Sequence, residues 1–252
     1  MKIVISPAKS LDFETPTPTS QFTEGIFYNE AEKLNGVLKK KTPKKLAALM
    51  RISNKLSELN WERNQKWQLP FSLENAKQAV YAFKGDVYIG LDAYSIPLDK
   101  IAQLQSKLRI LSGQYGLLKP LDLIQPYRLE MGTKLKVGRK HNLYQYWDSK
   151  ITDALNSELN VNEPFVNLAS KEYFKVIKPK LLKTPVITPV FKDYKDGKLK
   201  MIGFFAKKAR GLMVRYIIEN EIATIEELKG FNLEGYAFDS NLSTESEFVF
   251  TR

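Results

Sequence analysis

Cysteine is absent from the 252 residues, and histidine occurs once, at position 141. Without cysteine there is no disulfide framework, no zinc ribbon and no thiol nucleophile. The absence fits a reducing compartment, and a cytoplasmic location is expected. A Ser-His-Asp triad would have to use His141, and the chain holds no GxSxG elbow, no Walker loop and no GxGxxG fingerprint. Long apolar runs are missing too. Ile3-Val4-Ile5 is far too short for a leader or a membrane span, and nothing elsewhere nears the roughly 18 apolar residues that crossing a bilayer takes. No membrane partner is expected. Asp12, Asp86, Asp92, Asp122, Glu130 and Asp239 show no spacing that marks an all-oxygen metal site. Neither a metal nor a cofactor is expected.

What the chain has in excess is positive charge, with 39 Lys and Arg against 28 Asp and Glu, a net of +11. The excess is clustered. Lys33 to Ser57 holds eight basic residues and no acid, Lys171 to Lys183 five with the single acid Glu172, and Lys198 to Arg215 six with none. Together these stretches carry more than the whole net charge, so the remainder is mildly acidic. Charge that serves solubility alone is usually interspersed by sign. Clustered cations suit a polyanion, because each neutralised phosphate releases condensed counterions. DNA, double-stranded or structured, is the expected partner, ahead of RNA.

With 43% hydrophobic residues the chain can bury a substantial core. No repeat and no polar linker divides it, so one domain over residues 1–252 is expected. Lys2 to Ile5 reads as a buried strand. Thr15-Pro-Thr-Pro-Thr19 reads as an extended loop, because alternating prolines forbid helix. Helices are predicted over 29–40 and 43–50, the second with Thr42 as cap and Pro43 in its first position. A further helix, capped by Ser53, follows the connector Arg51-Ile52-Ser53 and runs to about Lys66. Others are predicted from Ser72 to about Phe83, over 99–107, from Tyr144 to Leu159 and over 206–220. Val87–Gly90, Leu108–Leu111, Phe165–Ala169, Gly235–Phe238 and Glu247–Phe250 read as strands. Thr184–Phe191 and Leu199–Phe205 read as a hairpin about Asp196-Gly197. Thr224 and Glu227 fit a capping box before Gly230. The result is an α+β domain with a mixed sheet and interleaved helices.

Three places offer contacts for phosphate. Lys44, Lys45, Arg51 and Lys55, with Ser53 as an extra donor, flank two short helices around a tight turn, the form of a helix-hairpin-helix module. That turn lacks the glycines that let backbone amides approach a phosphate; the alternative is an ordinary helical pair. Lys171, Lys175 and Lys178 follow a strand, and sites often lie beyond strand ends. Lys207, Lys208, Arg210 and Arg215 lie off the apolar stripe of the 206–220 helix, where no acid precedes Glu219 and where Gly211 calls for a packing reason. A solvated basic face is the alternative there. A different class of function is an enzyme acting on nucleic acid or a nucleotide, for example on a glycosidic bond. Its pocket would lie in the Gly- and Pro-rich segment Ser112 to Gly132, with Asp122, Arg128 and Glu130 as catalytic candidates.

Seven blocks in order resemble the YaaA family: Ile5–Phe13 (ISPAKSLDF), Leu49–Leu56 (LMRISNKL), Phe83–Leu91 (FKGDVYIGL), Leu108–Gly132, Asn167–Lys180 (NLASKEYFKVIKPK), Phe204–Asn220 (FFAKKARGLMVRYIIEN) and Phe231–Asp239 (FNLEGYAFD). The resemblance implies a family-specific single-domain α+β fold, a basic cleft and a helix-hairpin-helix-like element for DNA. It also implies a role in limiting peroxide damage, associated with keeping unincorporated iron low. With no cysteine and one histidine, an indirect effect on iron is expected rather than chelation.

Overall fold

The computed structural model describes residues 1–252. Its centre is β1 (Lys2–Ile5), whose Ile3, Val4 and Ile5 are fully buried. An apolar run with no alternation is what a strand covered on both faces requires. β2 (Leu108–Ser112) and β3 (Gly116–Leu118) extend the sheet on one side of it. On the other side follow β4 (Phe165–Leu168), β5 (Val186–Lys195) with β6 (Lys198–Lys200) beside its outer end, and β7 (Ala237–Phe238) and β8 (Glu247–Thr251). The order is β7-β8-β5-β4-β1-β2-β3, with β6 paired to β5, in one eight-stranded sheet. β8, β5, β4, β1 and β2 are parallel to their neighbours in that row, and β3, β6 and β7 pair antiparallel. The sheet is mixed and the fold is α+β, as the sequence suggests.

Eleven helices surround it: the four-residue Ala79–Ala82 and α1 (Tyr28–Lys39), α2 (Pro43–Met50), α3 (Asn54–Lys66), α4 (Asp86–Leu91), α5 (Ile101–Lys107), α6 (Leu143–Trp147), α7 (Lys150–Glu158), α8 (Lys171–Phe174), α9 (Gly203–Glu219) and α10 (Ile225–Leu228). Several start signals act as read. The Thr42 and Ser53 hydroxyls accept from the backbone N–H of Lys45 and Leu56, and the Thr224–Glu227 capping box is present in both directions. No helix is long and apolar enough to cross a membrane.

Four segments depart from expectation. Val87–Gly90 forms helix, not strand; a run this short and apolar satisfies either period until its neighbour is known. That neighbour is α9, which lies against α4 glycine to glycine. A Cβ on Gly211 would sit 1.8 Å from the Val87 carbonyl oxygen, and one on Gly90 would sit 2.1 Å from that of Lys208. Gly211 therefore serves close approach. Ser72–Phe83 is not one helix. Lys77–Gln78 pairs with Leu123–Ile124, a helical turn follows, and Phe83–Lys84 pairs with Ser10–Leu11. Pairing of the flanking residues with two other segments confines the helix to Ala79–Ala82, so tertiary contacts override the helical propensity of the rest. Tyr144–Leu159 is two helices, broken at Asp148 with φ of 45°. The strand expected over Leu199–Phe205 stops at Lys200, because α9 begins at Gly203.

The proline loop is tied down from beneath. Lys77, buried, donates from Nζ to the carbonyls of Asp12 (2.9 Å) and Thr15 (2.7 Å). Gln78 donates to the carbonyls of Thr19 and Gln21. Hydrogen bonds to backbone carbonyls offset the cost of burying this polar group.

Candidate functional site

β1 is the point where the chain order reverses: β2 lies on one side of it and β4 on the other, both parallel to it. Open parallel sheets leave a crevice beyond the strand ends at such a point. Here β1 runs into Ser6 and β4 into Ser170. The Ser170 N–H donates to Ser6 Oγ at 2.9 Å, and the two hydroxyl oxygens are 3.3 Å apart. Ser170 Oγ also accepts from the Tyr173 N–H, so the same serine begins α8. From α4, the Tyr88 hydroxyl donates to the Ser6 carbonyl at 3.2 Å. Above these ends opens a cleft of about 480 Å³, walled by Ser6–Ser10, Lys84–Tyr88, Glu130, Ser170, Glu172, Tyr173, Lys207 and Arg210.

The charges on these walls are unequally matched. Glu130 lies 2.8 Å from Lys9 Nζ and 3.2 Å from Arg128. Asp86 lies 3.7 Å from Lys207, and Glu172 accepts the Gly132 N–H at 2.9 Å. Arg210 is half-buried and takes part in no ion pair within 4.0 Å, and burial lowers its pKa. It stays charged, since a guanidinium does not lose its proton in a protein, but its charge is uncompensated within the chain. Burial pushes the Tyr88 and Tyr173 hydroxyls up, so both are neutral at physiological pH.

A second cavity, of about 540 Å³, lies next to the first and is walled by Ala48–Arg51, Gly132–Lys134, Glu130 and Glu172. Glu130 and Glu172 line both cavities, which are the inner and outer parts of one groove. The outer part begins at the α2–α3 hairpin. Arg51, which ends α2, holds φ of 52° and ψ of 54°. That left-handed conformation normally suits glycine, and here a cation occupies it at the edge of the groove.

The sequence-derived contact residues separate into two groups. Lys44, Lys45, Arg51, Ser53 and Lys55 are exposed on the hairpin, and Lys171 is exposed at the start of α8. Lys175 is exposed over the Tyr144 ring, 5.1 Å from its centroid. Lys44, Lys45, Arg51, Lys55, Lys171 and Lys175 take part in no ion pair. Lys207 and Arg210 wall the inner cleft. Lys178, Lys208 and Arg215 are matched by acids: Lys178 by Asp148, Lys208 by Glu234, and Arg215 by Glu219 at 2.7 Å and Asp92 at 3.6 Å. Ahead of Glu219, α9 has no acid of its own, and carboxylates are brought to it by Asp86 of α4, Asp92 and Glu234.

Of the catalytic candidates, only Glu130 reaches the cleft, with Arg128 behind it as ion-pair partner. Asp122 is buried elsewhere, accepting from the Thr23 hydroxyl at 2.6 Å and the Lys119 N–H at 2.7 Å. Tyr115 and Tyr127 of the same segment are also core residues, joined to Trp67 (3.0 Å) and Ser112 (2.7 Å). The residues that sequence reasoning did not single out as a site are Ser6, Lys9, Lys84, Ser170 and Glu172. The available signal was the short polar run directly after an apolar strand, at Ser6 and at Ser170.

Burial raises the Asp122 carboxyl to about 6 despite its hydrogen bonds. The folded state thus holds this proton more tightly than the unfolded chain. The resulting stabilisation is complete below the unfolded pKa near 4 and is lost as pH rises through about 6. Relative to an Asp122→Asn variant, the wild type is expected to lose about 2 to 3 kcal/mol between pH 4 and pH 7. Urea unfolding of both proteins at the two pH values measures this, and a pH-independent difference refutes it.

The chain matches the family described as peroxide stress protein YaaA over residues 1–242. It is 65% identical over 252 residues to a UPF0246 protein of Flavobacterium johnsoniae, with all of both chains covered. It is 61% identical to a UPF0246 protein of Flavobacterium psychrophilum, again over the whole of both. A UPF0246 protein of Aliivibrio fischeri is 55% identical over 254 residues, covering all of this chain and 98% of that one.

Proposed function

Because the chain belongs to the peroxide stress protein YaaA family, we propose that it acts in the peroxide response by binding DNA, whose phosphate backbone lies along the outer part of the groove and over the α2–α3 pair. The observation that carries this reading is the convergence of the three basic stretches. Arg51 comes from the first stretch at the outer part of the groove, Glu172 from the second at the boundary, next in sequence to the exposed Lys171, and Lys207 and Arg210 from the third at the inner end, behind Glu130 and Glu172. Cations without acidic partners are the ones free to replace counterions on phosphate. Lys44, Lys45, Arg51, Lys55, Lys171 and Lys175 are therefore the principal contacts. Ser53 adds a hydroxyl donor between the two helices, in the manner of a helix-hairpin-helix. Lys178, Lys208 and Arg215 contribute less, since each must first leave a carboxylate. Contacts of this kind fix position without reading base sequence. The proposed link to iron is indirect: a covered backbone is shielded from radicals that free iron generates.

Equilibrium binding to a short duplex across a salt series tests the reading. Six phosphate contacts predict that log K falls with log salt with a slope of about −5, alike for unrelated sequences. No binding at 50 mM salt, or a flat salt profile, refutes it.

A further inference from the structure

The outer groove and the α2–α3 pair make use of Arg51 and its exposed neighbours, but leave the inner cleft without a ligand of its own. We propose that this cleft is a binding site for a phosphomonoester carried on a nucleoside, either a free nucleoside 5′-monophosphate or the phosphorylated end of a strand. The inference rests on the DNA-binding reading for its ligand class, but not for its site.

Arg210 carries the argument. A half-buried guanidinium has given up part of its hydration, and within the chain it receives no counter-charge in return. Such a group is costly unless something else supplies the anion. The neighbouring cations do not share this condition, since Lys9 is matched by Glu130, Lys207 by Asp86 and Lys84 by Asp12 at 3.9 Å. An incoming anion therefore settles on Arg210. A guanidinium fork presents paired donors that match phosphate oxygens. The hydroxyls of Ser6 and Ser170 stand at the strand ends in the same cleft as further donors.

The rest of the cleft specifies what bears the phosphate. Glu130 and Glu172 offer carboxylate acceptors for sugar hydroxyls, and Tyr88 and Tyr173 add aromatic walls. A volume of about 480 Å³ lies in the range of small-ligand sites. The position beyond the carboxyl ends of β1 and β4, where strand order reverses, is where open α/β sheets hold ligands. Glu130 and Glu172 also stand at the boundary with the outer groove. Two carboxylates there repel a continuous run of phosphodiesters but admit a single terminal unit. The same boundary separates the two kinds of binding: polyanion outside, one phosphate inside.

Calorimetric titration of the full chain with adenosine 5′-monophosphate and with adenosine tests the proposal. The nucleotide is expected to bind at least about tenfold more tightly than the nucleoside, the scale of one charge-assisted contact. Arg210→Ala abolishes that preference and Arg210→Lys restores part of it, while duplex affinity is unchanged, because Arg210 lies on the inner side of the boundary that phosphodiesters do not cross. Arg210→Gln, which keeps length and polarity, replaces the alanine variant if that one melts early. A 5′-phosphorylated oligonucleotide compared with its unphosphorylated form, beside the free nucleotide, identifies the source: whichever binds more tightly is the ligand. Equal affinity for nucleotide and nucleoside, no binding of any phosphomonoester, or a preference unchanged in Arg210→Ala and Arg210→Gln overturns the proposal. Duplex binding intact with phosphate preference lost from the wild type sinks this inference alone; the reverse sinks the groove reading alone.

Discussion

Replacing Lys44, Lys45, Arg51 and Lys55 together with alanine is expected to weaken duplex binding on the order of 10³-fold at 0.1 M salt, and to flatten the salt slope by between about 3 and 4. Each lost cation leaves one phosphate with its counterion, and four of them act on one backbone. The fold should survive. All four side chains are exposed, and Leu46 is what α2 buries. The caps at Thr42 and Ser53 and the first-position Pro43 remain. Arg51→Ala keeps a left-handed residue that is not glycine, so the backbone strain there is unchanged. Fluorescence anisotropy over a salt series measures both effects, and thermal melting controls for structure. A variant with wild-type affinity and slope would remove the hairpin from the interface. A matched set at Lys178, Lys208 and Arg215 is expected to cost far less, because the acids beside them already hold those charges.

The second large effect is on stability, and its sign reverses between two glycines. Gly36 and Gly211 both lie inside helices, α1 and α9. Glycine in a helix interior is less favourable than alanine by about 1 kcal/mol. At Gly36 an added Cβ meets nothing within 4 Å, so Gly36→Ala should stabilise by about 0.5 to 1 kcal/mol. At Gly211 the Cβ would lie 1.8 Å from one backbone atom of α4 and 2.6 Å from another. Backbone cannot rotate aside as a side chain can, so the helices must separate. Gly211→Ala is expected to destabilise by about 3 kcal/mol or more. Because α4 carries Asp86 and Tyr88 and α9 carries Lys207 and Arg210, the same change should widen the inner cleft. Denaturant unfolding of the two variants decides the matter; two stabilised proteins would mean that the helices do not touch at Gly211.

Much of the architecture was legible from local signals. Thr42-Pro43, Ser53 and the Thr224–Glu227 box mark helix starts because each supplies a bond or a dihedral that a helix end needs regardless of context. The apolar run Ile3-Val4-Ile5 marks a central strand because only burial on both faces tolerates it. Where no local signal discriminates, the reading failed. Val87–Gly90 has no period long enough to choose between helix and strand, and Ser72–Phe83 has helical composition but is claimed at Lys77–Gln78 and at Phe83 by pairing with distant segments.

The sequence by itself determined the α+β class, the excess and clustering of cations, the caps and the strand turn at Asp196-Gly197, since all of these depend on residues near one another in the chain. Only the tertiary structure decided which cations are free. Ion pairing is a matter of distance in space, and the acids that hold Lys178, Lys208 and Arg215 include ones far along the chain, as do those beside Lys9 and Lys207. It also placed Ser6 and Ser170, 164 residues apart, at one cleft, because parallel strands align carboxyl ends that the chain visits at widely separated times.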